Sequence, residues 1–244
     1  MTQAIATTNE VHAPSAADAA VDRHFACRGH GEEFEMEARW ILRRLPRNAS
    51  SILDIGCGIG ALFSLMGTSR VVGIDYAHAG LRRTRKRFPA SRLACGDGAA
   101  LPFEDESFDA ITAQHVIEHL PDAVSACREW RRVLHSYGRL ILVTPNAEFR
   151  DPSIFDDPTH VRLFDHRSLQ QTIESSGLVV ECICTLGLPW FRKYHALPGG
   201  WRLRRKVLRG AEMIARLKDL DLRDVLIVAE DPDEAWWVEL ARDG

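Results

Sequence analysis

One run does most to limit what this chain can fold into: Ile52-Leu-Asp-Ile-Gly-Cys-Gly-Ile-Gly60. A short apolar strand drives straight into alternating glycines, and a helix follows near Leu62. Glycine permits the tight turn and lets backbone approach a ligand where any side chain would block it. The flanking sequence repeats the strand-then-helix rhythm. Arg70–Asp75, Arg92–Cys95, Ser107–Thr112 and Arg139–Thr144 read as strands, and Leu62–Met66, Ala79–Phe88 and Asp122–Leu134 as helices. Strands alternating with helices at this interval imply right-handed crossovers and a parallel sheet covered on both faces.

The segments on either side have their own patterns. Residues 1–17 are rich in Ala, Thr and Ser and read as a flexible tail. Residues 18–48 form a helical cover, with Phe34, Ala38, Ile41, Leu42 and Leu45 at spacings of three and four. Residues 51–146 form the ligand-binding core. Asp165 suits the N-cap of a helix through Ser176, with Gly177 as its stop. Leu178–Thr185 and Asp224–Glu230 are two late strands, and 187–223 between them carries helical periodicity, as an insertion or lid would. Residues 18–244 are thus expected to form one domain.

Composition narrows the function. With 31 Lys and Arg against 34 Asp and Glu, a net charge of −3 disfavours a general nucleic-acid binder. Six cysteines without a C-x-x-C pair suit reduced thiols rather than a disulfide scaffold or a zinc knuckle. No signal peptide and no transmembrane stretch is legible, so a cytoplasmic location is expected.

The glycine loop alone admits two ligands, because Gly56-x-Gly58-x-x-Ala61 also fits the dinucleotide fingerprint. Asp75, at the end of the next strand, suits a ribose-binding carboxylate in either case. Asp54 separates the two. A carboxylate beside a pyrophosphate meets a repulsion of about 4 kcal/mol at 4 Å and an effective dielectric near 20. It suits a ligand with a cationic end, as S-adenosylmethionine has. Asp97, after the third strand, can accept a hydrogen bond from an adenine amino group.

Five pieces, ILDIGCGIG, VVGID, GDGAALPFEDESFDAI, HVIEHLPD and VLHSYGRLILVTPN, occur in order between Ser51 and Asn146. Together they resemble the class I S-adenosylmethionine-dependent methyltransferases, in the branch that includes ubiquinone and menaquinone biosynthesis enzymes. The resemblance implies a Rossmann-like α/β fold with a seven-stranded, mostly parallel sheet and an antiparallel last strand. It also implies methyl transfer to oxygen, nitrogen or carbon of a small or lipid-linked metabolite. Gly56, Gly58 and Gly60 would line the methionine and ribose, Asp75 would hold the ribose hydroxyls, and Tyr76 would pack near adenine. Asp97, Gly98 and Ala99 would meet the adenine edge. Gln114 and His115 would present backbone to the methionine amine.

The chemistry should sit where parallel strands end. There His115, Glu118 and His119 follow the fourth strand and His160 follows the fifth. If 115–119 is helical, His115 and His119 share a face. Three readings stand for this cluster: hydrogen-bonded packing without chemistry, a base among His115, His119 and His160, or a metal site. The last follows from some O-methyltransferases of this fold, which bind a divalent ion through Glu-x-x-Glu-His. Here the set would be His115, Glu118, His119 and His160, more suited to zinc than magnesium. Arg82, Arg83, Arg85, Lys86 and Arg87 read as a solvated helix face. The basic stretch 201–218, with aromatics nearby, reads as a solvated helix or as an amphipathic lid that leaves peripheral membrane contact open. Two other functions remain: an NAD(P)-dependent oxidoreductase, and a non-catalytic cofactor-binding protein.

Overall fold

The computed structural model describes residues 32–147, 158–185 and 224–230. The tail 1–17, residues 18–31, the segment 148–157 and the insertion 187–223 with its basic stretch lie outside the described residues.

Seven strands form one sheet: β1 Ile52–Ile55, β2 Val71–Asp75, β3 Arg92–Cys95, β4 Phe108–Gln114, β5 Leu134–Pro145, β6 Val179–Thr185 and β7 Asp224–Glu230. Their order is β3-β2-β1-β4-β5-β7-β6. The ladders from β3 across to β5 are parallel, and β7 runs antiparallel to both β5 and β6. This is the mostly parallel Rossmann-like α/β arrangement expected from the strand–helix rhythm.

The helices are α1 Glu32–Leu42, α2 Ala61–Met66, α3 His78–Arg87, α4 Ala123–Val133 and α5 His166–Ser175. Alternation along the strands divides the core into two layers. On β5, Leu140 and Leu142 pack with Trp130, Phe164, Leu169 and Ile173 on the α4–α5 side. Ile141 and Val143 pack with Ile41, Leu62, Phe63 and Leu81 on the α1–α3 side. Both layers are nearly dry, which suits strands that read as continuous apolar runs.

Local signals explain the helix ends. The Asp122 side chain accepts from Ser125 N, capping α4. Asp165 and Ser168 exchange side-chain-to-backbone hydrogen bonds in a capping box at the start of α5. Most element ends fall within a residue or two of the sequence expectation, and two places differ more. β5 begins at Leu134, because Leu134 pairs with Phe108 across a register shift before the regular ladder starts at Ala110. Residues 115–119 are not an α-helix. His115 is left-handed at φ 55°, and a single 3-10 turn covers Ile117–His119.

The strand order reverses on either side of β1, so the crevice between the carboxyl ends of β1 and β4 is where this topology binds ligands. One side chain ties the core to that crevice. Trp130, fully buried, donates from Nε1 to the Gly98 carbonyl at 2.7 Å. Trp130→Ala is expected to destabilise the chain by about 3–5 kcal/mol in urea denaturation, whereas Trp130→Phe should lose much less. Equal losses would show that the indole hydrogen bond, not the buried volume, dominates.

Candidate functional site

The glycine loop leaves β1 with three residues at positive φ: Gly56 at 68°, Gly58 at 48° and Gly60 at 82°. At Gly56 a Cβ would also lie 2.4 Å from Val116 Cγ2, so neither conformation nor space admits a side chain. Side chains from outside fasten the loop. Asp75, at the end of β2, accepts from Gly58 N at 2.8 Å through one oxygen and from Ala77 N at 2.8 Å through the other. Thr84 of α3 donates to the Gly58 carbonyl at 2.8 Å.

Asp54 lies one residue before the end of β1 and is 7% exposed. Thr112, its register partner on β4, donates to it across the strands at 2.8 Å. Burial, with the added repulsion of Asp75, pushes the Asp54 carboxyl up to about 7 against the Thr112 hydrogen bond. Burial also raises the Asp75 carboxyl, opposed by its two backbone donors. Two poorly compensated acids therefore flank the loop.

Tyr76 follows Asp75 and stands 72% exposed, unusual for a large ring beside a sheet end. Past β3, Asp97 accepts from Ala99 N at 2.8 Å, closing the turn that holds Gly98 against Trp130. Gly98 needs its missing side chain, since a Cβ there would sit 2.9 Å from Ile55 Cγ2. Asp54, Gly56, Gly58, Gly60, Asp75, Tyr76, Asp97, Gly98 and Ala99 thus sit at the carboxyl ends of β1, β2 and β3, along one side of the crevice.

On the other side, β4 ends at Gln114 and His115. A left-handed conformation at a residue other than glycine costs on the order of 1–2 kcal/mol. His115 keeps it with its backbone N–H on the Val143 carbonyl at 2.9 Å. Glu37 of α1 takes hydrogen bonds from both neighbours, from Gln114 Nε2 at 2.5 Å and His115 Nε2 at 3.0 Å. The other ring nitrogen lies 3.4 Å from Glu118 Oε1, and Glu118 Oε2 accepts from Thr144 at 3.0 Å. Glu118 is fully buried. Burial alone would raise its carboxyl, but the His115 contact and the charges of His115 and His119 hold it below its ordinary range.

His119 turns away from His115. Its Nδ1 is 3.0 Å from the Thr159 carbonyl, which can only accept, so that nitrogen donates and Nε2 is the ring nitrogen left on the other side. The His160 ring lies 5.0 Å from it, centre to centre. Val161 N and Arg162 N both donate to the Glu118 carbonyl, stapling this segment to the 3-10 turn. Ligand atoms of Glu118, His119 and His160 come within 4.8 Å of one another. His115 is not part of that group, so the four-residue set does not converge. The condition for His115 and His119 to share a helical face is not met, because His115 itself is left-handed and only Ile117–His119 form a 3-10 turn.

Sequence reasoning missed Glu37, Thr112 and Thr144. Glu37 had a visible signal: it lies one helical turn before Ile41, placing an acid on the apolar stripe of α1. Thr112 and Thr144 become meaningful only once the strand register is known.

Known proteins share this design. Residues 53–142 match a family described as "Methyltransferase domain". A probable S-adenosylmethionine-dependent methyltransferase of Mycobacterium tuberculosis is 31% identical over 175 residues, 68% of this chain and 63% of the relative. The chain thus spans a little under two thirds of that relative's length. A demethylmenaquinone methyltransferase of Thermotoga maritima is 32% identical over 126 residues, 47% of this chain and 55% of its own. The crystal structure of a SAM-dependent methyltransferase from Archaeoglobus fulgidus superposes with a TM-score of 0.64 at 18% identity, over 86% of this chain and 99% of that one. With the strand-to-glycine loop, the acids flanking it and the sheet order all in place, the chain belongs to the class I S-adenosylmethionine-dependent methyltransferases.

Proposed function

We propose that this protein transfers the methyl group of S-adenosylmethionine to a small or lipid-linked acceptor. The observation that carries the reading is the pair Asp54 and Asp75 at the glycine loop. A cationic sulfonium or ammonium relieves the cost of these buried acids, whereas a pyrophosphate adds to it. In this reading Asp75 receives the ribose hydroxyls and Tyr76 supplies an exposed ring for adenine. Asp97, Gly98 and Ala99 meet the adenine edge, and the ends of β1 and β4 face the methionine. The acceptor occupies the side nearer His119, His160 and the segment after β5. The name of the Thermotoga maritima relative favours a quinone-like acceptor.

Methyl transfer is an in-line displacement. The acceptor atom bonds to the methyl carbon as the sulfur–methyl bond breaks, leaving S-adenosylhomocysteine. Alignment supplies most of the acceleration, because the donor is already activated. Where the acceptor loses a proton, His119 is the candidate to take it, through Nε2, the ring nitrogen that does not meet the Thr159 carbonyl. His160 is the neighbouring candidate. His115 is ill placed to act as base, with a carboxylate facing each ring nitrogen. Thr144 already occupies one oxygen of Glu118, and the Thr159 carbonyl one nitrogen of His119, so this reading uses no ion. Among the described residues, no helix is long and apolar enough to cross a membrane.

Three measurements test the reading. Asp75→Ala should weaken S-adenosylmethionine binding at least tenfold by calorimetry, and unchanged affinity would remove Asp75 from the site. Below pH 7 the free protein carries a proton on Asp54 that a bound cation expels. Affinity should therefore fall up to about tenfold for each pH unit between 7 and 5.5, with proton release on binding. Asp54→Asn should flatten that dependence, and a pH-independent wild type would contradict the role. Dialysis against EDTA should leave melting temperature and S-adenosylhomocysteine affinity unchanged. Loss of either, with stoichiometric metal in elemental analysis, would favour the ion-binding reading instead.

A further inference from the structure

Helix α1 does more than cover the sheet. We propose that Glu37 is a positioning residue of the site, which holds the proton on His115 Nε2 and thereby fixes the ring at the end of β4. The bearing of this on catalysis rests on the methyl-transfer reading; the geometry behind it does not.

A carboxylate accepts and cannot donate, so the 3.0 Å contact with Glu37 Oε2 places a proton on His115 Nε2. The same oxygen takes the amide of Gln114. Two consecutive residues at the end of β4 are thus held by one side chain distant in sequence. The site is closed to solvent, with side-chain exposures of 13% for His115, 5% for Glu37 and none for Glu118. A left-handed backbone at His115 persists only where the surroundings over-determine it, and Glu37 is part of that determination. Without Glu37, the ring would keep Glu118 as its acidic neighbour 3.4 Å from Nδ1, and the proton would favour that side.

Strand ends in this topology present backbone to a ligand, so the orientation of Gln114 and His115 sets the floor on which the donor and acceptor meet. Glu37 acts through these residues and need not touch the reacting atoms. Its nearest structural alternative is simple helix docking, which Ile41 on the same face also serves, buried at 2% exposure.

The test uses the full chain labelled with nitrogen-15 histidine at pH 7, with imidazole resonances assigned by a His115→Asn variant. In the wild type, His115 Nε2 should resonate as a protonated ring nitrogen. In Glu37→Gln, which keeps the size of the side chain and removes its charge, Nε2 should shift into the range of an unprotonated nitrogen. Ile41→Val, which loosens the docking of α1 without touching His115, should leave the resonance in place. An unmoved Nε2 signal in Glu37→Gln overturns the proposal whatever happens to stability. An equal shift in Ile41→Val also overturns it, because helix docking alone would then explain the effect. Calorimetry of the wild type with S-adenosylhomocysteine reads out separately. Absence of binding there would count against the methyl-transfer reading, while the nitrogen signals would still decide the role of Glu37.

Discussion

The hydrogen bonds that Asp75 accepts from Gly58 and Ala77 hold the functional end of this molecule together. A loop of alternating glycines has little reason of its own to keep one shape, since each glycine loses more freedom on ordering than any other residue. One buried carboxylate at the end of β2 removes that freedom. Thr84 secures the opposite face of Gly58, and Gly80 lets α3 approach until a Cβ there would lie 3.1 Å from the Gly58 carbonyl. The loop is therefore formed before any ligand arrives.

The acids of the site differ in how they are compensated, and the difference has a direction. Glu118 is the most deeply buried, yet its histidine neighbours hold its carboxyl below the ordinary range. Asp54 is nearly as buried, but a single threonine hydroxyl does not offset burial and the nearby Asp75, and its carboxyl rises to about 7. One acid has its countercharge built in. The other has a neutral donor and a like-charged neighbour, at the place where a cationic cofactor would supply the missing charge. The same contrast weighs against a dinucleotide at this loop.

Much of the fold was legible because buried parallel strands read as continuous apolar runs, and glycines and caps mark their ends. β3 and β7 fall at the expected residues, and Asp165 caps α5 as its spacing suggested. The errors cluster where tertiary pairing overrides local pattern. Leu134–Gly138 read partly as the end of a helix, but pairing with β4 draws its first residue into β5. Whether His115 to His119 is helical stays open in the sequence, because a left-handed φ at histidine leaves no mark there. The glycines and acids of the loop could be named in advance because local turn chemistry demands them. Glu37 shows in the sequence only as an acid on an apolar stripe, since its partners lie on a strand far along the chain.

That last omission reflects how such a site is built. The carboxyl ends of parallel strands offer backbone groups and short side chains that follow from the sheet itself. They do not offer a carboxylate pointing back at the end of β4, because the chain there is leaving the sheet. Such a charge has to be delivered by an element outside the sheet, and α1 does so while also burying Ile41 and Ala38. Packing and chemistry are thus served by one helical stripe. The polar member of the stripe is tolerated inside because Gln114 and His115 supply its hydrogen bonds. The dependence runs both ways: the left-handed turn at His115 needs an acid opposite it, and the buried acid needs that turn.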